Sequence, residues 1–267
     1  MNSSSSLVDL SVQDGIARIL MNHAPVNAMT VELLDALLAA FEQASADDAV
    51  DVIVLGSAVP GRFSAGLDLK AFAQGDWENS RALLERLYTR FTDLQFRLGK
   101  PSIAAVNGTA RGGGMTLAIS CDMMVVEQGA TLGYPEIDVG VIPAIHFTHL
   151  PRIVGRHRAF DLLFTGRTFS PEEGHQLGIV TRVVPQGESL SQALALARVL
   201  ADKPRRVLRM ARDMFMREID SDYRKGVAAA VENFCNVAQT RESREGIQAF
   251  VDRQAERARA RPDKPRA

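Results

Sequence analysis

The stretch SIAAVNGTARGGGMTLAIS (residues 102–120) indicates how the chain folds around it. Ser102 to Val106 is a short apolar run, typical of a strand that is buried on both faces. Three consecutive glycines, Gly112 to Gly114, then open a second apolar segment that predicts a helix. Glycines at a helix N-terminus leave backbone N–H groups uncovered at the positive end of the helix dipole. Such groups can stabilise an oxygen that gains negative charge.

On both sides of this stretch, predicted strands alternate with predicted helices. A hairpin is expected around the turn pair Asp14-Gly15, and Thr30 is the expected N-cap of an amphipathic helix. Val50 to Leu55 is another apolar run that predicts a buried strand. A loop rich in Gly, Ser and Pro and then a single long helix are expected over residues 56–66 and 77–98. The alternation predicts βαβ units and a mostly parallel sheet.

After about residue 185 the pattern changes to amphipathic helices with no strand between them. Four helices are expected, over residues 190–201, 205–216, 223–238 and 244–257. The sequence therefore predicts an α/β core followed by a helical C-terminal part. The predicted divisions are a disordered tail at 1–6, the core at 7–185, a helical oligomerisation region at 186–257 and a disordered tail at 258–267.

Composition disfavours several classes of function. The 31 basic and 32 acidic residues give a net charge of −1, whereas a nucleic-acid binder needs a basic surplus. No apolar run reaches the length of a membrane span, and the two cysteines, Cys121 and Cys235, are expected to be free thiols in a reducing compartment. A cytoplasmic protein is therefore expected. The chain shows neither metal-ligand spacing nor a dinucleotide fingerprint, so no metal and no nicotinamide cofactor is expected.

Two further motifs flank the glycines: FSAGLDLK (residues 63–70) and YPEI (residues 134–137), the latter followed by Gly140. In this order and spacing, the three motifs resemble the crotonase (enoyl-CoA hydratase/isomerase) superfamily from about Val8 to Arg257. Smaller traces of the same resemblance are Asn22, Pro25, Asn27, Cys121, Asp122, Leu163, Thr165, Gly166, Arg167, Gly178, Ile179 and Val180. The resemblance implies a crotonase-like spiral core of βαβ units with a C-terminal helical trimerisation region.

The resemblance also implies an acyl-CoA substrate whose thioester oxygen lies between the backbone N–H groups of Leu67 and Gly113. Removing an α-proton, or adding water to the β-carbon, pushes negative charge onto that oxygen. Two fixed donors stabilise the resulting enolate without reorganising, and one such donor is typically worth about 3–4 kcal/mol.

Only one of the two acidic side chains that the family's hydratases use is present. Glu136 occupies one of these positions, but Thr116 stands at the other, two residues after the glycines. Threonine can orient water but is a poor base at neutral pH. A single base that reaches both C2 and C4 is sufficient to move a double bond. The pattern therefore resembles the superfamily's enoyl-CoA isomerases, with Glu136 as the base.

Other functions remain open at this point. The chain could be a hydratase in which Thr116 replaces one glutamate, a decarboxylase or hydrolase of another acyl-CoA, or a non-catalytic CoA- or RNA-binding relative. The near-neutral charge disfavours RNA, and the presence of Glu136 disfavours a site without catalysis. Ala144 stands where the family's dienoyl-CoA isomerases carry an aspartate, which disfavours that activity.

Where the family commonly has a glycine-rich run, this chain has larger side chains, including Ile145, His146 and Phe147, which are expected to narrow the acyl pocket. His146 is interpreted either as an auxiliary acid or base or as a partner of a backbone carbonyl. Arg111 is either a surface charge or a contact to a polar acyl group.

The CoA moiety requires cations for its phosphates and is part of the substrate, so no separate cofactor is expected. The resemblance assigns four residues to CoA binding: Ala65, Lys70, Phe250 and Arg253.

The C-terminal helices lead to a prediction about assembly. Because they cannot bury their apolar stripes alone, and because the family forms trimers or dimers of trimers, we expect a homotrimer or a hexamer. Analytical ultracentrifugation at micromolar concentration measures this directly. A monomer under those conditions would contradict the prediction.

Overall fold

The computed structural model describes residues 6–74, 76–221 and 234–259, and the chain divides into two compact units, residues 1–201 and 202–267. The first unit contains the predicted α/β core. Its strands are β1 (Val8–Gln13), β2 (Ile16–Met21), β3 (Ala28–Met29), β4 (Val52–Ser57), β5 (Gly61–Ser64), β6 (Gly66–Leu67), β7 (Ser102–Val106), β8 (Gly108–Arg111), β9 (Met123–Glu127), β10 (Leu132–Gly133), β11 (Thr168–Phe169) and β12 (Arg182–Val184).

Its helices are α1 (Val31–Ala46), α2 (Lys70–Ala73), α3 (Trp77–Leu84), α4 (Phe91–Phe96), α5 (Gly113–Ser120), α6 (His146–Val154), α7 (Arg156–Thr165), α8 (Pro171–Gln176) and α9 (Ser189–Ala201). A 3₁₀ turn spans Pro135–Val139.

A six-stranded sheet in the order β1-β2-β4-β7-β9-β12 forms the centre of this unit. The predicted hairpin is confirmed, since β1 and β2 are antiparallel, and the other neighbouring strands of this sheet are parallel. The sheet is buried on both faces, as alternate residues of β4 show. Ile53 and Leu55 point into the main core, whereas Val52 and Val54 pack in a second cluster with Leu196 of α9.

The packing of α9 corrects the predicted boundary of the core. Sequence analysis placed residues 186–201 in the oligomerisation region, but α9 contributes Ala193, Leu196 and Ala197 to the cluster that covers one sheet face. The first compact unit therefore ends at Ala201. An apolar stripe indicates that a helix packs against another apolar surface, and for α9 that surface is one face of the sheet.

A second sheet corrects the predicted loop at residues 56–66. This segment contains β5 and begins β6, because β5 joins a four-stranded sheet in the order β11-β10-β8-β5 and β6 pairs with β3. The strand β5 itself has the sequence GRFS, which lacks the β-branched residues by which strands are usually predicted.

The single helix expected over residues 77–98 contains a π-helical stretch, Glu85–Arg90, between α3 and α4. There the N–H of Phe91 donates to the carbonyl of Arg86, five residues earlier. π-Helical turns are rare in proteins, but those that occur are often found at functional sites.

The second unit contains helices α10 (Arg205–Glu218) and α11 (Arg241–Arg259), and residues 234–238 are also helical. Most of the helix expected over 223–238 lies outside the described residues, as do residues 1–5 and 260–267 of the predicted tails. Among the described helices, none combines the length and apolarity needed to cross a bilayer.

Candidate active site

Two backbone amides adjoin where β6 meets the start of α5. The N–H of Asp68 donates to the carbonyl of Met29 in β3 over 3.0 Å. Because successive residues of a strand alternate in direction, the N–H of Leu67 points away from β3. Gly113 lies close by, since a β-carbon built on it would be 3.4 Å from the nitrogen of Leu67. The structure thus brings together the two predicted oxyanion donors.

Gly113 is the first residue of α5, so its N–H has no acceptor within the helix. The position of this helix end is set by a close approach of two backbones. A β-carbon on Gly114 would lie 2.5 Å from the carbonyl oxygen of Ser64, a distance that atoms do not tolerate. Only glycine lets α5 pack this tightly against the segment that carries Leu67.

A buried hydrogen-bond network holds that segment from its other side. The hydroxyl of Ser64 donates to the carbonyl of Asn27 over 2.7 Å and accepts from the N–H of Gly66 over 3.1 Å. The amide of Asn27, itself fully buried, donates to the carbonyl of Phe63 over 2.9 Å. The role of Asn27, which sequence analysis noted only as a trace of the family, is therefore to fix the loop before β6.

Glu136 lies beside the same helix end. It belongs to the 3₁₀ turn Pro135–Val139, and a β-carbon on Gly112 would be 3.2 Å from its Oε1 atom. Burial raises the pKa of Glu136 above its ordinary value. Its Oε2 atom is buried and has no hydrogen-bond partner in the part of the chain that the structure describes. A carboxylate with a raised pKa and an unpartnered oxygen is well suited to accept a proton.

Two tyrosines that sequence analysis assigned no role lie within the electrostatic reach of Glu136. Burial, with the negative charge of Glu136 as the lesser cause, raises the pKa of Tyr88 to about 12. The same two causes raise the pKa of Tyr134. Tyr88 lies on the π-helical stretch, next to Leu87, whose Cδ2 would be 3.0 Å from a β-carbon on Gly113. The π-helical stretch therefore lines the site, which no feature of the sequence predicts.

Thr116 is also near Gly113, because its N–H donates to the carbonyl of Gly112 over 3.1 Å, one helical turn away. Its side chain, however, is only 1% exposed, and its Oγ1 atom lies 3.0 Å from Nε2 of His146. The hydroxyl of Thr116 is thus enclosed and bonded to the imidazole, which limits its access to water.

His146 contacts this hydroxyl and not the backbone carbonyl that was one of its two interpretations. Burial is the main cause that lowers the pKa of His146 to about 3, with a smaller contribution from His149. The imidazole is therefore neutral at physiological pH. Its Nδ1 atom is buried without a hydrogen-bond partner among the described residues.

The predicted CoA contacts are described only in part. Ala65 is exposed and its N–H donates to the carbonyl of Val26 over 3.0 Å. The side chain of Lys70 is 84% exposed and its Nζ atom lies 3.9 Å from Asp68. Arg111 is half-buried and its Nε atom has no partner in the described part of the chain.

The side chains of the two remaining CoA-binding candidates, Phe250 and Arg253, lie outside the described residues, although their backbones belong to α11.

Comparisons with known proteins agree with this geometry. The sequence profile of the family described as Enoyl-CoA hydratase/isomerase matches residues 11–258. A putative enoyl-CoA hydratase of Thermus thermophilus is 36% identical over 241 residues, which cover 86% of this chain and 92% of the relative. A probable enoyl-CoA hydratase of Bacillus subtilis is 30% identical over 249 residues, covering 92% and 96%.

Comparison with solved structures gives the same result. The crystal structure of enoyl-CoA hydratase from Bacillus anthracis superposes with a TM-score of 0.87 at 29% identity, covering 93% of this chain and 97% of that one. The predicted crotonase fold is therefore confirmed.

The close approach at Gly114 generates a prediction about the two amides. In Gly114→Ala, the added methyl group must push α5 away from Ser64 and separate the N–H groups of Leu67 and Gly113. We expect kcat for an enoyl-CoA to fall roughly 10²–10³-fold, as when one oxyanion donor is removed. Steady-state kinetics on protein with an unchanged circular dichroism spectrum measures this effect.

The matched control is Gly246→Ala, because a β-carbon at that position in α11 meets no atom within 4 Å. Its kcat is expected to equal that of the wild type. Equal values for both variants would show that the packing at Gly114 does not position the donors.

Proposed function

Because the chain belongs to the enoyl-CoA hydratase/isomerase family, we propose that it moves a proton on an enoyl-CoA thioester and thereby shifts its double bond. One observation carries the proposal: the amides of Leu67 and Gly113 adjoin, and the carboxylate of Glu136 lies beside the same helix end. This arrangement supports the proposal, because abstraction of an α-proton requires a base next to donors for the oxyanion that forms.

In the proposed reaction, Glu136 removes a proton from C2 of a 3-enoyl-CoA. The electron pair of that C–H bond moves onto the thioester oxygen, where the N–H groups of Leu67 and Gly113 stabilise the negative charge. Glu136 then returns the proton to C4, and the double bond moves from C3–C4 to C2–C3. The raised pKa of Glu136 supports both steps, because the same group must accept and release the proton.

Hydration of a 2-enoyl-CoA is the second candidate, and the names of the curated relatives favour it. In that reaction Glu136 would have to activate water alone, because the hydroxyl of Thr116 is buried and bonded to His146. The packing around Thr116 is the reason that we rank proton transfer first.

The remaining predictions about binding and assembly are part of the same proposal. Ala65 and Lys70, both exposed, are proposed to contact CoA. Phe250 and Arg253 remain proposed CoA contacts, as the resemblance implies. Assembly into a trimer would cover apolar side chains of the C-terminal unit, several of which are more than half exposed: Phe215, Ile219, Phe234 and Ile247.

The two candidate functions give different products in deuterated water. We expect the purified protein to incorporate deuterium into a 3-enoyl-CoA and convert it into the 2-enoyl isomer. We expect addition of water to a short 2-enoyl-CoA to be slower by roughly 10²-fold or more, the lower end of what one acid–base group contributes. Mass spectrometry of both substrates distinguishes exchanged hydrogen from added water. Hydration at a rate equal to or above that of exchange would refute the preference for proton transfer.

Replacement of Glu136 tests the proposed base. In Glu136→Gln the amide keeps the size of the side chain but cannot accept a proton, so kcat should fall roughly 10²–10⁴-fold. Binding of the CoA thioester, measured by calorimetry, should change little. The control is Asp138→Asn, an exposed carboxylate on the same 3₁₀ turn, which should keep wild-type activity.

The same variant should also differ from the wild type in how its stability depends on pH. The pKa of Glu136 is higher in the folded protein than in the unfolded chain, so the folded state binds the proton more tightly. Wild-type stability is therefore lost as the pH rises through the range between these two values. Glu136→Gln should melt at a higher temperature than the wild type at neutral pH, and the difference should shrink in acid.

A further inference from the structure

We propose that His146 is a specificity-determining residue that keeps water addition slow, because it hydrogen-bonds to the hydroxyl of Thr116 and fills the space beside it. This inference rests on the proposed function, because it concerns the choice between proton transfer and hydration at the same site. In this proposal His146 acts neither as an acid nor as a base. It prevents Thr116 from orienting a water molecule.

The first observation is the contact itself. Oγ1 of Thr116 and Nε2 of His146 are 3.0 Å apart, within hydrogen-bond distance, and the two residues are 1% and 0% exposed. Thr116 lies one turn along α5 from Gly112, on the helix whose first amide is a predicted oxyanion donor. A hydroxyl in this position could orient water only if water reached it, and the imidazole takes that place.

The second observation is the chemistry of what surrounds the pair. The ring of Tyr134 packs against His146 with centroids 4.4 Å apart, and Nδ1 of His146 and the hydroxyl of Tyr134 are both buried without hydrogen-bond partners among the described residues. Burying unpartnered polar groups costs stability. An apolar side chain would fill the same volume at lower cost, so packing alone does not account for His146.

The third observation is that the two rings packed together beside Thr116, those of His146 and Tyr134, are both uncharged. Burial keeps the imidazole of His146 neutral, and Tyr134, which packs on it, is neutral as well because its pKa is raised. His149, the other titratable group near His146, lowers the pKa of His146 further. A glutamate introduced at position 116 alone would therefore be buried against a neutral ring and would hold its proton.

We expect hydration to be fast only with a second ionisable group at that position. The oxygen of water forms a bond with C3 while Glu136 accepts one of its protons, and C2 receives a proton from a second acid as the enolate collapses. Thr116→Glu supplies such an acid only if the carboxyl group can reach C2 and exchange its proton with water. Removing the imidazole opens the space for both.

The test is a double-mutant cycle of Thr116→Glu and His146→Ala. For the wild type, the two single variants and the double variant, the measured quantity is the rate of water addition to a 2-enoyl-CoA divided by the rate of deuterium exchange at C2 of the corresponding 3-enoyl-CoA. We expect Thr116→Glu alone to change this ratio less than threefold, and the double variant to raise it at least tenfold above either single variant. A change in stability alone would lower both rates and leave their ratio constant.

Two controls keep the outcome interpretable. Thr116→Glu combined with His149→Ala removes the neighbouring histidine of α6 and should behave like Thr116→Glu alone. If variants with alanine at position 146 do not yield folded protein by circular dichroism, His146→Ser provides the same opening with a small polar side chain, and the same ratios apply.

The inference is overturned if Thr116→Glu alone raises the ratio as much as the double variant does, or if the double variant shows no gain. Failure of the proposed function has a different signature, since the wild type would then add water as fast as it exchanges hydrogen.

Discussion

The contact between Gly114 and the carbonyl of Ser64 is the constraint on which the rest of the site depends. Because no β-carbon separates these two backbones, the first turn of α5 lies against the segment that carries Leu67. The same contact determines where Gly112 lies, and Gly112 in turn leaves room for the carboxylate of Glu136. Three parts of the chain that are distant in sequence thus meet at the positive end of one short helix.

The two titratable side chains Glu136 and His146 differ in their surroundings. Burial raises the pKa of Glu136 and lowers that of His146, so desolvation favours the neutral form of both. The outcome differs because Glu136 is only partly buried and keeps an unpartnered oxygen, whereas His146 is enclosed and bonded to Thr116. Glu136 therefore remains able to exchange protons, whereas His146 acts as a fixed neutral side chain.

The regular spacing of apolar residues predicted the helices and strands around the site, but it predicted less reliably which of them contact one another. The hairpin, α1 with its Thr30 cap, and strand β7 were predicted at nearly their observed bounds, because their apolar residues recur with a regular spacing. The strand β5 was missed because its close contacts require small residues that resemble a loop. The oxyanion pair and Glu136 came from the resemblance to a family, since no local rule brings residues 67, 113 and 136 together.

The pairing of Thr116 with His146 could not be predicted from the sequence, because 30 residues and several elements separate the two. Sequence analysis considered a role for each of the two residues separately, and nothing in the sequence relates one to the other. Tyr88 was also missed. An uninterrupted α-helix over residues 77–98 would have its side chain on a different face of the helix from the one that it occupies in the π-helical turn.

That π-helical turn also has a consequence for how the site can change over evolutionary time. A turn closed between residues five apart accommodates one more residue than an α-helical turn does. Deleting one residue between Glu85 and Arg90 would let the segment revert to regular α-helix while α3 and α4 keep their positions and their helical phase. Only the side chains of the turn itself, including Leu87 and Tyr88, would be repositioned beside Gly113 and Glu136, and the amides and the base would stay where they are. The loss of a single codon would thus change one wall of the site without disturbing its polar groups.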